Sequence, residues 1–266
     1  MAFALGEAPL NSYDGAATDK GFRRRMTTLL AFDTASERMT IALADRDRRW
    51  SRSAAGGAKA SATLVPEILG LLAEAGLGLH DLDAIAFGRG PGAFTGLRTA
   101  CSVAQGLAFG AGKPVLAIDS LLAVAEDARS GAPRFRVWTA IDARMNQIYA
   151  AEYGFDADRW TSLVAPMLTD CDLLHARWRD APPEAVAGDA LLAFGTRLET
   201  GDARCFAEAR ASGDALLTLA ESAWRDGAAL DPAQALPLYV RDKVASTTRE
   251  REATRAAQAA GVGASP

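Results

Sequence analysis

Few side chains in this 266-residue chain are placed to do chemistry, and most of those fall in two short stretches. The first is Asp33-Thr34-Ala35-Ser36, a carboxylate and two hydroxyls directly after an apolar run. The second is Gly88-Arg89-Gly90-Pro91-Gly92-Ala93-Phe94-Thr95-Gly96-Leu97-Arg98, a glycine-rich loop between the apolar run 85–87 and the proline-free stretch 95–109. The spacing predicts strand, tight turn and helix in that order, with Thr95 as the helix N-cap. Free N–H groups at such a helix start point back toward the glycines and suit a phosphate. The same glycines equally let a helix sit tightly against a sheet. The spacing matches neither the P-loop lysine motif nor the dinucleotide fingerprint. Asp142 and Arg144, at a later strand end, read either as ligand contacts or as a pair that stabilises its own turn.

Other catalytic chemistries find little footing. His80 and His175 are the only histidines, so a metal held by two histidines within one helix is excluded by count. Cys101, Cys171 and Cys205 are far apart, odd in number and not in metal-type pairs, as expected of reduced thiols in the cytoplasm. No serine sits in a G-x-S-x-G elbow, and Cys101 reads as a packing residue inside a helix. We therefore expect no catalytic residue, no metal and no cofactor. A net charge of −4 argues against a broad basic surface gripping nucleic acid unaided. The apolar segment 103–118 is interrupted by Gln105, Lys113 and Pro114, so no membrane span is expected.

The elements that must position these groups follow from the hydrophobic pattern. Strands are predicted at 28–33, 39–44 and 48–54, a meander that carries Asp33 and Thr34 at its first turn; in actin-like ATPases an Asp in such a hairpin handles metal and phosphate. Equally, Thr34 and Ser36 would only satisfy the turn backbone. A helix at 59–76 presents Leu64, Ile68 and Leu71 at helical spacing, with Val65, Leu69 and Leu72 beside them, a stripe wide enough to touch two neighbours. The helix 95–109 carries Gly96, Ala100, Ala104 and Ala108 at intervals of four, a seam that allows close approach either within the chain or between subunits. A strand at 115–118 and a helix at 120–129 lead to Ser130-Gly131-Ala132-Pro133, the best domain boundary. Strands at 135–141, 147–155 and 160–167 then restart the plan, followed by a short helix at 170–177 and a longer one at 214–226. A strand meander followed by helices and further strands, used twice, describes the duplicated actin/Hsp70/sugar-kinase (ASKHA) α/β fold. We expect a mobile extension at 1–26, subdomains at 27–130 and 131–245 with the second reduced, and a flexible Ala-rich tail at 246–266.

Five motifs in order carry a family resemblance: Leu30-Ala31-Phe32-Asp33-Thr34, the loop 88–98, Ala104-Gln105-Gly106-Leu107-Ala108, Ala140-Ile141-Asp142-Ala143-Arg144 and Pro237-Leu238-Tyr239-Val240-Arg241. Together they resemble the bacterial TsaB (YeaZ) family from about residue 27 to 245. The resemblance implies a non-catalytic subunit that pairs with TsaD, joined by the ATPase TsaE, in threonylcarbamoylation of N6 of adenosine 37 in tRNAs reading codons that begin with A. It implies a homodimer when the chain is alone and tRNA contacted mainly through the complex. It also implies a partner surface on the two helices, taken here as Leu64, Val65, Ile68, Leu72, Leu97, Ala100, Cys101, Ala104 and Ala108. A vestigial nucleotide cleft would involve Asp33, Thr34, Gly90, Gly92, Thr95 and Asp142. The alternative is an independent actin-fold ATPase or small-molecule kinase using Asp33, Thr34 and the glycine loop.

Overall fold

The computed structural model describes residues 27–57 and 60–241; the expected extension at 1–26 and tail at 246–266 lie outside the described residues. β1 (Thr28–Asp33) is buried along its whole length, as a strand covered on both faces must be. It pairs antiparallel with β2 (Arg38–Asp45), which pairs antiparallel with β3 (Arg48–Ala55). On its other side β1 runs parallel to β4 (Ala84–Gly90), and β4 runs parallel to β5 (Val115–Asp119). The sheet order is 3-2-1-4-5. β3 is the edge strand and places Arg48, Arg49 and Arg52 there, which discourages pairing with another chain.

The second sheet repeats this plan. β6 (Phe135–Asp142) is antiparallel to β7 (Ile148–Asp156), and β7 to β8 (Arg159–Thr169). β6 is parallel to β9 (Ala185–Ala187), which is parallel to β10 (Arg204–Phe206). Counted from its own first strand, the order is again 3-2-1-4-5 with the same strand senses. The chain therefore has the duplicated ASKHA fold, and the second copy is reduced, its last two strands being three residues each.

Two helices, α1 (Ala60–Ala75) and α2 (Phe94–Ala111), cover one face of the first sheet. Between the sheets lies α3 (Ser120–Arg129), whose Ala123 joins the first sheet's core while Leu121, Val124 and Ala125 join the second's. The outer face of the second sheet is covered by α4 (Cys171–Asp180) and α5 (Ala190–Phe194). The last α-helix among the described residues, α6 (Gly213–Arg225), returns to the first sheet, where Leu216, Leu217 and Ala220 cover Leu29, Ala31 and Ala42. Within the expected second subdomain, α6 packs on the first sheet and not the second. The first sheet needs an apolar cover on its second face, and α6 provides it. Leu230 then bridges to Val115 at the β5 edge.

The start of α2 also differs from expectation. Ala93 is the N-cap and makes no side-chain cap bond; Thr95 is already inside the helix. The Ala93 N–H donates to the Ala35 carbonyl (2.7 Å), so the first hairpin fixes where the helix begins, in place of a capping hydroxyl.

Candidate functional site

Asp33 ends β1 at the bottom of the intersheet cleft. Its Oδ1 accepts from the Ala35 N–H (2.6 Å) and its Oδ2 from the Ser120 hydroxyl (2.5 Å). Ser120 in turn accepts from the Gly90 N–H (3.1 Å). Burial pushes the Asp33 carboxyl above the usual carboxylate range, and these two donors only partly oppose it. The Thr34 hydroxyl is likewise engaged, donating to the Gly96 carbonyl (2.7 Å). The glycines of the loop serve close approach. A Cβ on Gly96 would lie 1.9 Å from the Thr34 carbonyl oxygen, and one on Gly92 would lie 2.5 Å from that of Ala35. The hairpin backbone packs directly against Gly92 and Gly96, and each Asp33 oxygen already accepts from a protein donor.

An open cleft of about 1090 Å³ separates the two halves. Asp33, Gly92 and Asp142 line it. Thr34 and Gly90 are buried behind its wall, and Thr95 lies outside it, at a shallow concavity on α2. Asp142 Oδ1 accepts from the Arg144 N–H (2.8 Å), and its Oδ2 pairs with the Arg144 guanidinium (3.1 Å), so this pair does stabilise its own turn. Arg144, Met145 and Asn146 all have positive φ there (61°, 57° and 59°). From that turn Arg144 also reaches across the cleft to Glu37. The Asp142 N–H donates to Asp189 (2.8 Å), whose carboxyl is pushed up by burial.

A strap formed by residues 237–241 ties the halves on the other side. The Leu238 N–H donates to the Arg89 carbonyl (2.7 Å), and Arg241 donates to the Ala143 carbonyl (2.7 Å). Between them Tyr239 accepts from Arg98 Nε (3.0 Å), and Arg98 lies 3.8 Å over the Phe94 ring. Arg144 was singled out in the sequence, but its long-range pairing with Glu37 had no signature there. The strap did, as an extended segment of Pro, aromatic and Arg.

Of the nine residues expected at a partner surface, eight are buried within this chain. Leu64, Ile68, Leu72, Ala100, Cys101, Ala104 and Ala108 are buried in one core with Leu30, Phe32, Ile41 and Phe87 of the first sheet. Leu97 is buried against Gly90, and only Val65 is half-exposed. The small-residue seam therefore serves the chain's own sheet. Outside that core, Leu69 is 47% and Phe109 60% exposed, while Val103 and Leu107 are half-buried at its margin.

Residues 57–248 match the family of TsaD, tRNA N6-adenosine threonylcarbamoyltransferase. Among individual relatives, the tRNA threonylcarbamoyladenosine biosynthesis protein TsaB of Haemophilus influenzae is 44% identical over 47% of this chain and 53% of its own length. The protein of the same name from Escherichia coli is 33% identical over 59% of this chain and 69% of its own. The structure of YeaZ from Pseudomonas aeruginosa superposes with a TM-score of 0.73 at 36% identity, covering 80% of this chain and all of that one. The chain belongs to the TsaB (YeaZ) family. Its curated TsaB relatives are named for threonylcarbamoyladenosine biosynthesis on tRNA. The alignment with the first of them spans only about half of that protein.

This TsaB-family chain carries no histidine in α1. His80 lies in a 3₁₀ turn, and His175 Nε2 accepts from the Glu199 N–H (2.9 Å), a local structural bond. Among the described residues no group of three or more His, Cys, Asp or Glu side chains is placed to hold a metal ion. No helix among them is long and apolar enough to cross a membrane.

Proposed function

We propose that this chain is a non-catalytic subunit that docks on a TsaD-type threonylcarbamoyltransferase through the outer sides of α1 and α2. In this reading the ATPase TsaE joins the pair, and the assembly modifies N6 of adenosine 37 in tRNAs reading codons that begin with A, in the cytoplasm. The observation that carries the reading is the exposed apolar side of α1 and α2, with Leu69 and Phe109 in solvent. Single exposed apolar residues need no explanation, but each of these two neighbouring helices keeps one outside the core, which suits a helix-to-helix contact. The committed state of Asp33, Thr34 and the glycine loop supports the absence of independent catalysis. Alone, the chain would pair with a second copy through the same surface.

The test is size-exclusion chromatography with light scattering, on the chain alone and mixed with TsaD from the same organism. A stoichiometric heterodimer, with tRNA modification requiring both proteins, is the expected result. No association, together with saturable Mg-ATP binding by the isolated chain, would overturn the reading in favour of an independent ATPase.

A further inference from the structure

The outer surface of α1 and α2 is almost free of charge. Glu67 and Glu74 are the only charged residues of α1, and both are held by Arg52 of β3, at 3.0 and 2.7 Å. α2 contains no carboxylate and one cation, Arg98. That guanidinium is rigidly presented: Nε donates to the Tyr239 hydroxyl (3.0 Å), the group lies 3.8 Å over the Phe94 ring, and the two rings are 5.5 Å apart. Arg98 is exposed and forms no ion pair among the described residues. Beside it lies a shallow concavity of about 450 Å³, lined by Ser61 of α1 and by Thr95, Thr99, Ser102 and Val103 of α2.

We propose that Arg98 is a specificity anchor that takes a carboxylate side chain from the protein docked on α1 and α2, and thereby favours an unlike partner over a second copy. This rests on the docking reading above. A guanidinium held by stacking and one hydrogen bond leaves its outer edge for a bidentate carboxylate, at little further cost in side-chain entropy. Arg and Tyr are also the residue types that most often dominate interfaces. A second copy meeting this surface through its own α1 and α2 brings no unengaged carboxylate, because Glu67 and Glu74 already serve Arg52. Self-pairing therefore desolvates Arg98 without compensation, whereas an unlike partner with an Asp or Glu at this point compensates it.

The test compares the full chain with Arg98→Gln and Arg98→Lys. Self-association is measured by sedimentation velocity, and association with the transferase subunit by titration at low and high salt. Arg98→Gln is expected to weaken the unlike pair at least about tenfold, flatten its salt dependence, and leave self-association equal or tighter. Arg98→Lys keeps the charge and loses the fork, so it should recover the salt dependence with only part of the affinity. Equal loss of both associations, or no loss in either, overturns the anchor. Failure of the unaltered chain to bind the transferase overturns the docking reading instead, and is distinguished by the wild-type titration alone.

Discussion

Gly96→Ala offers the sharpest perturbation of the glycine loop. The added methyl would sit 1.9 Å from the Thr34 carbonyl oxygen and 2.8 Å from its carbon. Both are backbone atoms of the first hairpin, which cannot swing aside as a side chain would. Opening that contact also stretches the 2.7 Å bond from the Thr34 hydroxyl to the Gly96 carbonyl. Overpacking of this kind costs about 1–3 kcal/mol, and the lost buried hydrogen bond about 1 kcal/mol. Against this, replacing glycine in a helix gains at most about 1 kcal/mol. The net expectation is a loss of about 1–3 kcal/mol, or roughly 2–12 °C in melting temperature for a domain of this size. Gly106→Ala is the matched control: it lies in the same helix, and its methyl would meet nothing within 4 Å. It should gain about 0.5–1 kcal/mol. Urea denaturation followed by circular dichroism reads both. Equal stability of the two variants would refute the claim that this glycine exists for close approach to the hairpin.

Three further outcomes follow from the same geometry. Burial raises the Asp33 pKa above the ordinary 3.8, so the folded state holds that proton more tightly than the unfolded one. Stability should fall as pH rises from 3.8 toward the raised value and then level off; Asp33→Asn should reduce that slope in urea midpoints measured across the acid range, and an unchanged slope would contradict the burial. Ala104→Arg places a long cation in the fully buried seam and should cost about 3 kcal/mol or more, visible as a large drop in melting temperature. Leu69→Asp with Phe109→Asp changes only exposed positions, so stability should stay within about 0.5 kcal/mol per site, while light scattering should report the loss of pairing.

Hydrophobic pattern made the strand meanders and the helices legible, because β1 and β4 carry apolar runs such as 29–32 and 84–87 and the helices carry apolar stripes. The duplicated plan was readable for the same reason. The direction of the seam on α2 was not: small residues every four positions are what both a close sheet and a close partner helix require. α6 shows a similar ambiguity, since Leu216, Leu217 and Ala220 announce an apolar face without saying which sheet it will cover. Thr95 has the right chemistry for a cap, but a backbone bond from Ala93 to Ala35 decides the helix start, and no pattern in the sequence announces that bond. Asp33 was identifiable as a singular carboxylate. Its engagement by Ser120, 87 residues away, depends on the tertiary fold.

The return of α6 to the first sheet sets an order on how the protein can be made. Leu29, Ala31, Ala42 and Ala44 are near the beginning of the fold, yet the helix that covers them is near its end. At about 5–20 residues per second, translation leaves that apolar face uncovered for roughly ten to forty seconds after the first hairpin has emerged. A newborn chain must therefore be shielded from its neighbours for that interval, and cutting the gene at the link between the sheets yields a first half lacking its own lid. The first sheet is therefore completed only after the second has been made.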